Sequence, residues 1–288
     1  MLTSTEIDSA AVICGEEKAV ELVAKAGFDA WDFSMFSMCK YSWELDKAIL
    51  TDHPLSSSNY LSFARRLKRI GEDNGIHCNQ SHAPFPSDCP TIRTYFKRAI
   101  ECTAETGGKI CVIHPCNFKS AQENAEMYAE ILPFAKDYGV KIATENMWNW
   151  DEEKDESVFA ACASAEDFKA HLGAVNDDSF VACLDIGHAE MRGAGGGSVK
   201  MIHTLKDKLQ ALHLHDNDLW HDSHQIPFSM NIDFDAVVHA LKDIDYRGYF
   251  TLEASGYLSD FDKDSVAMGI CNLSGAARRL ADLFDTIN

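Results

Sequence analysis

The chain has 288 residues, 46% hydrophobic and 25% charged, the balance of an ordinary globular protein with one sizeable core. Asp plus Glu outnumber Lys plus Arg by 45 to 26, and the net charge of −19 repels phosphate backbones and so argues against a nucleic-acid partner. No apolar run approaches the roughly 20 residues that cross a bilayer, and the amino terminus MLTSTEIDSA lacks the basic and apolar stretches of a secretion signal.

Ten cysteines are present, none in C-x-x-C spacing, so the expectation is a cytoplasmic protein with reduced thiols in its core. Nothing in the sequence divides the chain: no linker, repeat or low-complexity tract interrupts residues 1–288, which are read as one domain.

Apolar runs alternate with helical patterns along the chain. A first strand is expected at residues 9–14. The stripe Ala19, Val20, Leu22, Val23 and Ala26 before Gly27 predicts a helix, and residues 28–33 predict a second strand. Residues 33–58 are irregular and aromatic, with Met35, Phe36, Met38, Tyr41 and Trp43; they are read as an insertion that either lines a pocket over the barrel mouth or packs on its rim. Tyr60, Leu61, Ala64 and Leu67 before Gly75 make the next helix, and a strand leads to His82.

Further strands are expected at residues 109–113, 140–144, 180–184, 209–212 and 249–252. Between the first two of these, Ser120 and Glu123 have the spacing of a capping box and Gly139 marks the helix end. Residues 192–198, rich in glycine, suit either a mobile loop or a phosphate cradle.

Eight strands alternating with helices in a chain of this length point to an α/β fold, a single (β/α)8 TIM barrel. A doubly wound sheet is the alternative, but neither G-x-G-x-x-G nor a P-loop is present, and no nucleotide cofactor is expected.

His82, His114, Glu145, Asp185, His213 and Glu253 close successive runs at intervals of 28 to 40 residues, where barrel strands meet their loops. On a barrel they converge at one mouth. Crowded carboxylates and imidazoles call for a cation, and an oxygen-rich set with one nitrogen suits Mn²⁺, Mg²⁺, Co²⁺ or Fe²⁺, and Zn²⁺ when more imidazoles join. His215 shares the inward face of its strand with His213 and is read as a support for its neighbours, or as a substrate contact; Trp148 and Trp150 can stack on a sugar ring or pack in the core.

The segments Ser81-His82-Ala83-Pro84, Val112-Ile113-His114-Pro115, Thr144-Glu145-Asn146, Leu184-Asp185-Ile186-Gly187-His188-Ala189, His213-Leu214-His215-Asp216-Asn217 and Leu252-Glu253-Ala254 together resemble the xylose isomerase-like TIM-barrel superfamily. That group includes sugar phosphate isomerases and epimerases, inosose dehydratases and endonuclease IV. The resemblance implies one divalent metal (Mn, Mg, Co or Zn) on Glu145, Asp185, His213 and Glu253, with Glu145 and Glu253 exchanging protons with a sugar, sugar phosphate or polyol next to its carbonyl. A 1,2-hydride shift fits the same site.

The resemblance also implies two alternatives. A lyase or dehydratase acting on a cyclic polyol or glycoside starts with the same proton abstraction. Endonuclease IV holds three zinc ions on residues matching His82, His114, Glu145, Asp185, His188, His213, Asp222, His224 and Glu253, so His82, His114, His188, Asp222 and His224 are candidates for further metals or for substrate contact. The chain departs from the epimerases after its seventh strand, where residues 226–231 replace a Pro-Gly-x-Gly turn and Asn217, Asp218 and Leu219 stand where several ketose epimerases place an arginine shortly after the residue matching His213. A homo-oligomer stays open.

Overall fold

The computed structural model describes residues 1–287 and forms a closed parallel barrel wrapped by helices. Its strands are β1 (Thr3–Thr5), β2 (Ala30–Ser34), β3 (His77–His82), β4 (Ile110–Val112), β5 (Lys141–Glu145), β6 (Phe180–Asp185), β7 (Leu209–His213) and β8 (Phe250–Leu252). Strands β2 to β7 pair in chain order as one parallel sheet, and β1 pairs with β8. Single parallel bridges, Glu6 to Asp32 and Leu214 to Leu252, close the two remaining seams.

Seven of the eight expected strands lie where the apolar runs placed them. The first does not: residues 9–14 belong to the helix Asp8–Cys14, and β1 is the polar segment Thr3–Thr5. Closure decides this, because Thr3, Ser4 and Thr5 pair in register with Phe250, Thr251 and Leu252, whereas Val12 is left largely exposed on the helix.

The helices form as their patterns dictate. Ser120 accepts from the Glu123 N–H while Glu123 returns a bond to the Ser120 N–H, so the helix Ala121–Asp137 starts on a complete capping box. Most apolar side chains pack between sheet and helices, while a small column of Val112, Ala143, Val181, Cys183 and Ala211 fills the barrel axis. On the opposite side the interior is polar, with Ser4 donating to Asn79 and Gln80 to Asp32.

Two antiparallel hairpins rise beyond the barrel. Lys40–Ser42 pairs with Lys47–Ile49 inside the aromatic insertion, and Trp148–Asp151 pairs with Glu156–Phe159 after β5. Met35 and Met38 of the insertion are buried in the core, whereas Phe36 and Trp43 line a cavity, so both readings of that segment hold for different residues. The glycine-rich segment is not part of the cavity wall, and Gly193 within it is exposed. A Cβ on Gly193 would stand 2.1 Å from the Ser157 carbonyl, and one on Gly195 would stand 2.1 Å from that of Ala189, so these glycines allow close backbone packing. No described helix is long and apolar enough to cross a membrane.

Candidate metal centre

Side chains alternate along a strand, so the columns that fill the barrel end in the residues that face its mouth. Val181 and Cys183 point inward and Asp185 is next; Ala143 leads in the same way to Glu145, and Ala211 to His213 and His215. The mouth is therefore the polar top layer of the barrel interior, at the carboxyl ends of the strands.

Every residue singled out in the sequence arrives there, in three adjoining groups. Donor atoms of Glu145, Asp185, His213 and Glu253 lie within 4.8 Å of one another, as do those of His82, His114 and Glu145, and those of His188, His215, Asp222 and His224. Trp148 and Trp150 stand on the cavity wall, with the Trp148 indole donating to Asp222 at 3.2 Å. His215 is fully buried, and its Nε2 lies 3.1 Å from Asp185 Oδ1 while its ring stacks on His224 at 3.9 Å.

The imidazoles are oriented by their outer nitrogens. Nδ1 of His188 donates to the Asn146 carbonyl at 2.9 Å, that of His224 to the Glu253 carbonyl at 2.7 Å, and that of His82 to the Ala83 carbonyl at 2.8 Å. Each Nε2 is thereby left for the cluster. His213 is turned the other way: Nε2 faces Asp32 Oδ2 at 3.3 Å, and Nδ1 faces Glu145 at 3.1 Å and Glu253 at 3.3 Å. Anchoring the far nitrogen on a carbonyl or carboxylate is how metal-binding histidines are usually held.

Burial alone would drive these carboxyls neutral. The pairing reverses that: against the effect of burial, His213, His114 and His82 hold the Glu145 carboxyl well below the usual range, and His188 and His215 lower that of Asp185. Burial likewise opposes the charge on His224, yet Asp222 pushes its imidazolium up to about 10. His114 goes the opposite way, to about 4, because burial and the adjacent His82 both disfavour a second positive charge. The two Nε2 atoms are 2.8 Å apart and can share one proton.

Among the buried oxygens without a hydrogen-bond partner are Glu145 Oε2, Asp185 Oδ2 and Asp222 Oδ1, so each group contains at least one. Nε2 of His114 is 3.3 Å from Glu145 Oε2, close enough for ion pairing but out of line for a hydrogen bond. Unpaired buried carboxylate oxygens are costly, and a divalent cation is the ligand that would satisfy them. Cys183 lies within the same reach as Glu145 and His213, but burial pushes its thiol far above the usual range, so it serves as a packing residue.

Four residues at the mouth were not singled out in the sequence. Asp32 is fully buried behind His213, and Glu6 is buried with one oxygen unpartnered at the end of β1. Asp8 lines the cavity beside Glu6. Asn146 bridges two strand ends, donating to the Asp185 carbonyl at 2.8 Å and accepting from its N–H at 2.8 Å. Asp32 lies inside the predicted second strand, but simple alternation does not assign its face because β2 shifts register between Trp31 and Asp32. Glu6 gave no signal, because the strand before it has no apolar run.

Comparison with known proteins agrees with this architecture. A D-tagatose 3-epimerase-like protein superposes with a TM-score of 0.74 at 20% identity, covering 99% of this chain and 98% of its own. L-Ribulose 3-epimerase gives 0.70 at 17% identity over 99% and 95% of the two chains, and the 3-keto-D-glucoside 4-epimerase of E. coli gives 0.67 at 14% over 96% and 100%. In sequence, an uncharacterised protein of Methanocaldococcus jannaschii is 25% identical across 82% of this chain and 78% of its own length. The family model described as xylose isomerase-like TIM barrel matches residues 20–268, and the chain belongs to that family.

Proposed function

We propose that this chain is a divalent-metal-dependent isomerase or epimerase of a sugar or related polyol, acting at a carbon next to a carbonyl. The observation that carries the reading is the convergence of Glu145, Asp185, His213 and Glu253, with buried Glu145 and Asp185 oxygens that no protein donor satisfies. Mn²⁺, Mg²⁺, Co²⁺ and Zn²⁺ all suit this donor set. The structural neighbours, a D-tagatose 3-epimerase-like protein, L-ribulose 3-epimerase and a 3-keto-D-glucoside 4-epimerase, add support.

Glu145, Asp185, His213 and Glu253 would hold the ion. Bound there, it supplies Lewis acidity that polarises the substrate carbonyl and acidifies the neighbouring C–H. Glu145 and Glu253 then act as the base and acid that remove and return the proton. Its histidine partners keep Glu145 ionised despite full burial, and only the ionised carboxylate can accept a proton. His188, fixed by Asn146 and exposed to the cavity, donates to a substrate oxygen.

The test uses protein loaded with Mn²⁺ and a panel of ketoses in D₂O. Deuterium should enter the substrate at the carbon that is inverted or oxidised, and Glu145→Gln and Glu253→Gln should each abolish it, with metal content assayed separately. A label retained wholly within the substrate would point to a hydride shift. No turnover of any ketose by fully metallated protein would remove the proposal.

A second reading has its own observation. All nine residues matching the endonuclease IV set fall into three groups of metal-binding size. A multinuclear metallohydrolase follows from that partition, although the charge of −19 opposes a duplex DNA substrate. Specific incision of abasic-site DNA with Zn²⁺ at low enzyme concentration would favour it.

A further inference from the structure

Resting on the sugar reading above, we infer that the substrate is an uncharged glycoside whose sugar ring carries a ketone and whose aglycone is flat and apolar, and not a sugar phosphate. The inference comes from the contrast between the floor and the wall of one cavity of about 770 Å³. The floor is the buried layer of carboxylates and imidazoles. The wall carries six aromatic side chains, Phe36, Trp43, Phe85, Phe118, Trp148 and Trp150, and no lysine or arginine.

A phosphate is held by arginine forks, lysine or a helix amino terminus. None of the cavity's charged side chains is a lysine or arginine, while the acids Asp8 and Asp88 stand on its wall, so an anionic ligand would meet repulsion on entry. Lys40, whose charge favours ionised Asp8, lies outside the lining. The substrate group reaching past the metal ligands is therefore uncharged.

Size and surface chemistry then say what that group is. Pockets for drug-sized ligands run roughly 300–1,000 Å³, and this one lies in the upper part of that range. A monosaccharide seated on the floor would leave the outer part empty. The outer part is apolar and waits in solvent: Trp43 is 69% exposed and Phe118 is 83% exposed.

The aromatic faces are also held in place. Trp43 packs edge-on against Tyr41 at 4.9 Å, Trp150 stacks on His221 at 5.6 Å, and Trp148 is pinned through its N–H to Asp222. Ordered aromatic faces drawn from two hairpins and the Phe118 loop suit a flat ring between them, stacked beyond the sugar.

Binding to Mn²⁺-loaded protein, followed by tryptophan fluorescence and calorimetry, compares phenyl β-D-glucopyranoside, D-fructose and D-fructose 6-phosphate. Phenyl glucoside should bind about tenfold more tightly than fructose, and fructose 6-phosphate most weakly. The double substitution Trp43→Ala/Phe118→Ala, at exposed positions, should lower phenyl glucoside affinity about tenfold and erase its advantage. Phenyl glucoside binding no tighter than fructose, including the case in which neither is detected, overturns the inference; so does fructose 6-phosphate binding as well as either. Exchange of ketose C–H protons in D₂O is scored separately, because phenyl glucoside has no carbonyl and serves only as an unreactive binding probe. Exchange with no glycoside preference leaves the isomerase reading standing without this inference, and glycoside preference with no exchange does the reverse.

Discussion

Replacing Asp32 by asparagine should weaken divalent-metal binding without unfolding the barrel. Asp32 is fully buried, and its Oδ2 accepts from Gln80 at 2.9 Å and faces His213 Nε2 at 3.3 Å. The carboxylate thereby orients the ring and makes the opposite nitrogen, the one turned toward Glu145 and Glu253, more basic. Removing such a carboxylate partner typically costs 10- to 100-fold in metal affinity. Here the contact is longer than the roughly 2.7–2.9 Å of a strong charge-assisted bond, which places the expected loss in the lower part, roughly 10- to 30-fold or about 1.4–2 kcal/mol.

Competition with a fluorescent chelator for Mn²⁺ or Zn²⁺ measures the loss, and circular dichroism with a thermal melt of EDTA-treated protein checks the fold. Asp137→Asn, an equal change of net charge at the exposed end of the helix Ala121–Asp137, is the control. Affinity of Asp32→Asn within twofold of wild type would refute the reasoning, because His213 would then need no carboxylate behind it.

Glu6 should make the metal-free protein less stable as pH rises. Burial pushes its carboxyl up to about 7 from an ordinary 4.5, so the folded state binds this proton more tightly than the unfolded state and stability falls between those two values. Glu6→Gln should remove the penalty, giving up to about 3 kcal/mol over wild type at pH 8 and almost nothing near pH 4.5 in urea melts; an equal difference at both would count against it. Gly193→Ala adds a Cβ 2.1 Å from the Ser157 carbonyl at a φ of +92°, and should cost about 2–4 kcal/mol and several degrees of melting temperature. An unchanged melt would mean that the glycine loop is mobile after all.

The strand-end residues were legible because a parallel barrel strand is buried on both faces and so reads as a short apolar run with its last inward residue at the mouth. This holds for Ile110–Val112 before His114, for Lys141–Glu145 and for Phe180–Asp185. It fails for Thr3–Thr5, three polar residues whose inward Ser4 meets Asn79, so Glu6 was hidden while the apolar residues 9–14 drew the strand to the wrong place. Asp32 was hidden differently. It lies inside a run that was read correctly as a strand, but the register shift between Trp31 and Asp32 obscures which face it takes.

By itself the sequence determined the alternation of strands and helices, the capping of the helix at Ser120, and those crowning side chains that close an apolar strand, because all of these follow from local periodicity and propensity. Only the tertiary structure decided how the candidate ligands divide into three groups, which nitrogen of His213 faces the carboxylates, and that a cation-free aromatic wall stands above them. Those features depend on distances between strand ends that barrel closure sets, through pairings such as Thr3 with Phe250 at opposite ends of the chain. No local pattern of residues carries that information.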